Sequence, residues 1–314
     1  MTSNAVFAIA KREFLENIHA RHVVILTLVY SLLILMYDAV VYQDFLDALH
    51  SVSIYNSTIQ GMPALAPNDQ LLGGLVLFLS LGPLFVISTS FGVFSHERSS
   101  KSLSLLLSQP ISRSSVFAGK VVGLTLVFVP LVATPPVLAI TASLASVGEV
   151  TVQLVVRLVS LELLAILYLL FWLALTIFVS IVASSPGDSF AIVGVVWLML
   201  QTSVFQPLAS AIVAALVFPG ETALQIANNP QYSSLNSFFT TLVPPYGVAE
   251  AIFGGESVLS FTTGSLRVNY ILNSSIAFLQ WLSYAFDDIL SLCLSITLIL
   301  VASHFLFSRM DVGG

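Results

Sequence analysis

A helix that crosses a bilayer needs about 20 consecutive apolar residues, because each residue rises about 1.5 Å and the hydrocarbon core is about 30 Å thick. Blocks of that length, almost free of charge, recur along this 314-residue chain. Six can be bounded, over residues 23–42, 71–94, 121–145, 158–183, 190–218 and 289–307. Only 8% of the residues are charged and 57% are hydrophobic, where a water-soluble domain carries roughly 25% charge. The expected fold is an all-α integral membrane protein, one transmembrane domain of six helices. Pro83 in the second block and Pro130, Pro135 and Pro136 in the third predict kinks, since proline removes a helix hydrogen bond.

The basic residues set the expected orientation. Lys11, Arg12, Arg21, Arg98, Lys101, Arg113, Lys120 and Arg309 fall on one side of the spans. The opposite loops hold Arg157 and Arg267 against Asp44, Asp47, Asp69, Glu149, Glu221, Glu250 and Glu256. Short cytoplasmic loops are enriched in Lys and Arg, so both termini and residues 95–120 are expected in the cytoplasm of a cell-membrane protein. Residues 43–70 and 219–288 are then external, the latter apolar enough for short interfacial or re-entrant helices. The glycosylation triplets at Asn56 and Asn273 fall outside under this topology. The lone Cys293 forms no internal disulfide. The apolar run after the first basic residues is too long for a cleavable signal peptide.

Two cytoplasmic elements carry the functional signal. Residues 1–22 read as a surface helix with Phe7, Ala10, Phe14 and Ile18 on one face and Arg12, Glu13, Glu16 and His19 opposite. Lys11 sits at the margin of the apolar face, where it can snorkel. Such a helix is either a topology anchor or an elbow in the membrane plane beside a partner subunit. In residues 95–120, Leu103, Leu106 and Leu107 form an apolar face on a short helix stopped near Pro110. Exposed leucines between charged ends either fold back onto the membrane or dock in a groove of a soluble partner.

The loop resembles a known family. A Glu (Glu97), then Ser102-Leu103 with Leu105-Leu106-Leu107, Pro110, Arg113 three residues on, and Gly119-Lys120 opening the next span are similar to type-2 ABC transporter permeases. Lys11-Arg12-Glu13-Phe14 resembles that family's basic elbow helix, Pro245-Tyr246 its segment before the last span, and Phe307-Ser308-Arg309-Met310-Asp311 its C-terminal end. The resemblance is strongest to the group containing the nitrous-oxide-reductase maturation permease. It implies a coupling helix that docks on a separate ATPase through Glu97, Ser102, Leu103, Leu106, Leu107, Pro110 and Arg113. It also implies two ATPase copies, which bind ATP and Mg, and a second permease chain, identical or closely homologous. One position departs from the pattern: the family usually has Gly before the Ser/Thr-Leu pair, and this chain has Lys101.

No cofactor or metal is expected in the chain itself. A phosphate-binding loop needs Gly-x4-Gly-Lys-Ser/Thr, but Gly119-Lys120 is followed by Val121 and preceded by Ser114 at the first Gly position. No hydrolase or zinc motif occurs, so no catalytic residue is expected, and dispersed basic residues give no nucleic-acid surface. Asp287-Asp288 reads as a wet start to the last span. Within the spans, Glu162, Gln201 and Gln206 are the polar candidates for a pathway, since polar groups in lipid usually face protein or a cavity; interhelical hydrogen bonding is the plainer use of the glutamines. Asp38 and His304 lie near span ends. The expectation is a permease subunit of an ABC exporter. An ion-coupled secondary transporter would carry several mid-span acids, and a non-transporting assembly factor would keep the ATPase contact without a pathway.

Overall fold

The computed structural model describes residues 2–21, 23–36, 40, 43, 67–102, 111–134, 137–138, 140–141, 150–201, 205–220, 225–226, 229–232, 234–235, 243–253, 271 and 276–310. These form helices and connections, with no strand among the described residues. In chain order the helices are α1 (Thr2–Ile18), α2 (Val23–Met36), α3 (Pro67–Ser90), α4 (Ser95–Ser99), α5 (Arg113–Val127), α6 (Val129–Val132), α7 (Val152–Val182), α8 (Pro186–Gln201), α9 (Phe205–Val217), α10 (Pro244–Phe253) and α11 (Phe278–Arg309).

Four stretches are long and apolar enough to cross a membrane: Leu77–Ser99, Arg113–Val132, Val152–Val182 and Phe278–Arg309. A fifth arises if α1 and α2, bent by 65° at their junction, count as one span. Among the described residues, four or five of the six expected spans are found. Within 190–218, α8 is described to Gln201 and α9 from Phe205, with 202–204 outside the described residues. The last helix starts at Phe278 rather than near 289. Asp287 and Asp288 consequently lie inside a helix, and Asp288 is buried rather than wet. The helix α7 begins at Val152, capped by the Thr151 hydroxyl, so Arg157 is helical and buried, not in an external loop.

One helix runs through Pro83. Beside it, Gly82 lets α7 approach, since a Cβ there would lie 3.2 Å from Leu169 Cδ2. The third span breaks at Phe128, just before Pro130, which occupies the first turn of α6. Pro135 and Pro136 lie outside the described residues, as do Asp38, Asn56 and Asn273.

The core is organised around α7, against which α3, α8, α10 and α11 pack. Tyr168, Leu169, Trp172 and Leu173 are buried there, and the Tyr168 hydroxyl donates to the Leu79 carbonyl at 2.7 Å. By contrast α11 leaves Leu290, Leu294, Leu298, Val301 and Phe305 exposed along one side, a face suited to lipid solvation. The helix α1 lies along α5. Its buried side is Ile9, Ala10 and Glu13, while Phe7 is 72% exposed. The face expected to be polar therefore supplies a buried carboxylate, and part of the apolar face points away from the bundle.

Candidate functional site

Lys120 is the one charged residue between Arg113 and Val127, in a helix that otherwise suits lipid. A lysine so placed must snorkel or find an anion. It finds two. Its ammonium, on a side chain 1% exposed, donates to Glu13 Oε1 at 2.6 Å and to Glu97 Oε1 at 2.7 Å. The Phe94 ring centroid lies 5.8 Å from the same nitrogen. One side chain thus joins α1, α4 and α5. Glycines make the close approach: a Cβ on Gly119 would lie 2.7 Å from Ile9 Cβ, and one on Gly123 would lie 2.7 Å from the Ala10 carbonyl oxygen. Gly119 and Gly123 stand four apart, the small-residue spacing that lets membrane helices touch backbone to backbone. On the outer side of α1, Arg12 bonds Glu16 at 2.7 Å, and that hydrogen bond raises the guanidinium above its ordinary pKa.

The connection between α4 and α5 is anchored on both flanks. On the first, Arg98 donates to the Ile181 carbonyl at 3.1 Å and also to the Ala183 carbonyl. These acceptors end α7, where unpaired carbonyls and the helix dipole favour a cation. The Ser180 hydroxyl accepts from the Phe94 and Ser95 amides, both at 3.1 Å. On the second flank, Arg113 donates to the Ser308 and Met310 carbonyls at 2.9 and 2.8 Å, ending α11 in the same way. His304 meets the Ser114 hydroxyl at 3.0 Å. Phe94 and Phe307, with ring centroids 4.8 Å apart, pack beneath. A cavity of about 420 Å³, lined by Glu13, Asn17, Ser88, Thr89, Glu97 and Lys120 among others, opens beside the cluster.

Lys101 follows α4 with φ of 60°. This is the left-handed conformation that glycine adopts freely and that costs a chiral residue about 1–2 kcal/mol. A glycine would suit the position on backbone grounds alone.

At the other end of α7 the described contacts of Arg157 are to backbone carbonyls. Arg157 donates to the Ile271 carbonyl at 2.6 Å and to that of Ile276. The Ile271 amide bonds the Ile252 carbonyl at 3.1 Å, and the Trp281 indole bonds the Ala251 carbonyl at 2.9 Å. Two carbonyls at the C-terminal end of α10 are thereby satisfied. A Cβ on Gly247 would lie 2.9 Å from Asp288 Oδ1, so α10 sits directly on α11.

The chain matches the family described as ABC-2 family transporter protein over residues 7–312. It belongs to the ABC-2 transporter family. Comparison with curated proteins finds no match. Membership makes the chain a multi-pass membrane component of the permease type and implies a partner ATPase subunit.

Among the residues expected to touch the ATPase, Glu97 is the half-buried partner of Lys120. Ser102 is exposed and donates to the Glu97 carbonyl at 3.3 Å. Arg113 reaches the end of α11. Leu103, Leu106, Leu107 and Pro110 lie outside the described residues. The intramembrane candidates are not brought together by any described contact. Glu162 sits three turns into α7, half-buried, with Oε2 lacking a hydrogen-bond partner among the described residues. Gln201 ends α8 and Gln206 lies in the first turn of α9. Sequence reasoning missed the Glu13–Lys120–Glu97 cluster. Its signal was a lone lysine midway along an apolar helix, between two glycines four apart.

Proposed function

We propose that this ABC-2 protein is the permease subunit of an ATP-driven exporter, acting as a dimer of permease chains with two ATPase chains. ATP and Mg are bound by the ATPase, and this chain contributes no hydrolytic residue. Both termini and the connection between α4 and α5 face the cytoplasm, and the complex resides in the cell membrane. The site residues fall into two groups. Leu103, Leu106, Leu107 and Pro110 contact the ATPase, while Glu97, Arg98 and Arg113 tie that contact to the membrane helices.

The observation that supports this reading is the anchoring of the α4–α5 connection. Its base is joined to α1 through Lys120, to the end of α7 through Arg98, and to the end of α11 through Arg113. A push on the connection therefore reaches three helices through short polar contacts. In the proposed cycle, closure of the ATPase pair displaces the two connections and re-gates a pathway between the permeases.

The test is copurification with the ATPase. Burying a leucine against a partner is worth roughly 1.5–3 kcal/mol. Leu103→Asp combined with Leu107→Asp is expected to insert normally yet lose most of the bound ATPase. Wild-type ATPase recovery by that variant would remove the loop from the interface and leave the exporter mechanism unsupported.

A further inference from the structure

Between α1 and α5, on the side away from the ion cluster, runs a groove of about 650 Å³. Val6, Phe7, Phe14, Leu15, Val122 and Leu126 wall it, with Ala10 also at its edge. Phe7 is 72% exposed and Leu15, Val122 and Leu126 are each more than 40% exposed. The one charged residue on its lining is Lys11, which is itself exposed and has no ion pair among the described residues. The adjacent cation, Arg12, is already held by Glu16.

We propose that this groove binds an anionic phospholipid, the acyl chain filling it and the headgroup phosphate pairing with Lys11. The volume lies within the roughly 300–1,000 Å³ of small-ligand sites, which are mostly apolar with a few placed polar groups. The walls are fixed in advance, because Gly119 and Gly123 hold α1 against α5 at backbone contact. The helix α1 turns by 65° into the apolar α2, an angle that suits a helix lying at the membrane surface with its apolar side in the acyl layer. A lysine at that depth meets the phosphate layer and favours a negative lipid. Glu13 lies two residues from Lys11 and is bonded to Lys120, as is Glu97. An occupant of the groove therefore bears on the helix tied to the base of the α4–α5 connection.

The binding step rests on the membrane reading alone, so it is tested on the purified permease without an ATPase. Native mass spectrometry after exposure to equimolar phosphatidylglycerol and phosphatidylcholine is expected to show phosphatidylglycerol retained about fivefold over phosphatidylcholine. Lys11→Gln brings the two lipids to parity, Lys11→Arg keeps the preference, and Val122→Trp, by filling the groove, loses both lipids. Melting temperature monitors folding in every variant. Equal retention of the two lipids by the wild type overturns the proposal, and so does an unchanged preference in a folded Lys11→Gln protein. Disulfide crosslinking of Phe7→Cys to Phe7→Cys between two copies would assign the groove to a second permease chain and also overturn it. Loss of ATPase copurification would remove the exporter reading and leave the lipid result standing.

Discussion

Lys120 and Arg157 are both almost fully buried, yet they hold opposite ends of the bundle by different chemistry. The Lys120 ammonium is shared by two carboxylates that come from two other elements, α1 and α4. Arg157 instead spreads its guanidinium over the carbonyls of Ile271 and Ile276, within a mesh of backbone acceptors that includes Ala251 and Ile252. A carboxylate pair concentrates the stabilisation in one nitrogen, and losing it strands like charges away from water. A carbonyl mesh distributes the stabilisation, and among the described contacts losing the donor leaves neutral dipoles. On the described contacts the carboxylate-paired end is the more sensitive one, and it carries the connection proposed to dock on the ATPase.

The largest effect is expected from Lys120→Met. Removing one partner of a buried ionic cluster costs about 3–5 kcal/mol, because the remaining charges are uncompensated. Thermal unfolding in detergent should fall accordingly, and adding Glu13→Gln and Glu97→Gln should restore more than half of the loss. If the triple variant were no more stable than Lys120→Met, stranded charge would not be what makes this end sensitive.

Arg157→Met is expected to remove two charge-assisted hydrogen bonds, each worth about 1.5–3 kcal/mol. The loss should be local. Hydrogen exchange at the Ile271 amide should accelerate, while the amides of α1 and α5 keep their protection. Acceleration spreading to α1 would show that the two ends are one cooperative unit and would break the comparison.

Lys101→Gly tests the smallest term and has the opposite sign. Releasing a chiral residue from φ of 60° should stabilise the folded state by about 1 kcal/mol, less the entropy glycine adds to the unfolded chain. A lowered melting temperature would mean that Lys101 makes a contact worth more than its backbone strain.

Much of the helix arrangement was legible before any coordinates. The long apolar blocks around residues 71–94, 158–183 and 289–307 each coincide largely with a helix, because hydropathy over about 20 residues is a sum that neighbours along the chain decide. Boundaries were less legible. Residues 278–288 read as part of an external segment with short interfacial or re-entrant helices, yet they continue the last span as one helix, on which α10 packs and whose Trp281 bonds Ala251. Arg157 directly precedes the fourth apolar block and reads as an external-loop residue, whereas the carbonyls that receive it come from residues more than 100 positions away. The amphipathic pattern of α1 was read correctly as a pattern and wrongly as a burial. Its polar face holds Glu13, and the partner for Glu13 stands on another helix.

The sequence alone determined that the chain carries apolar blocks long enough to enter a bilayer and that its loop carries the family's pattern. Each of these depends on residue type summed over a short window. Only the tertiary structure decided which charges meet. Glu13 and Lys120 are 107 positions apart, and Lys120 and Glu97 are 23 apart. Their pairing depends on Gly119 and Gly123 bringing α1 within backbone contact, a packing distance that no periodicity encodes. Burial of a charge is favourable only after its partner has arrived, so the cluster is a property of the assembled bundle rather than of any segment in it.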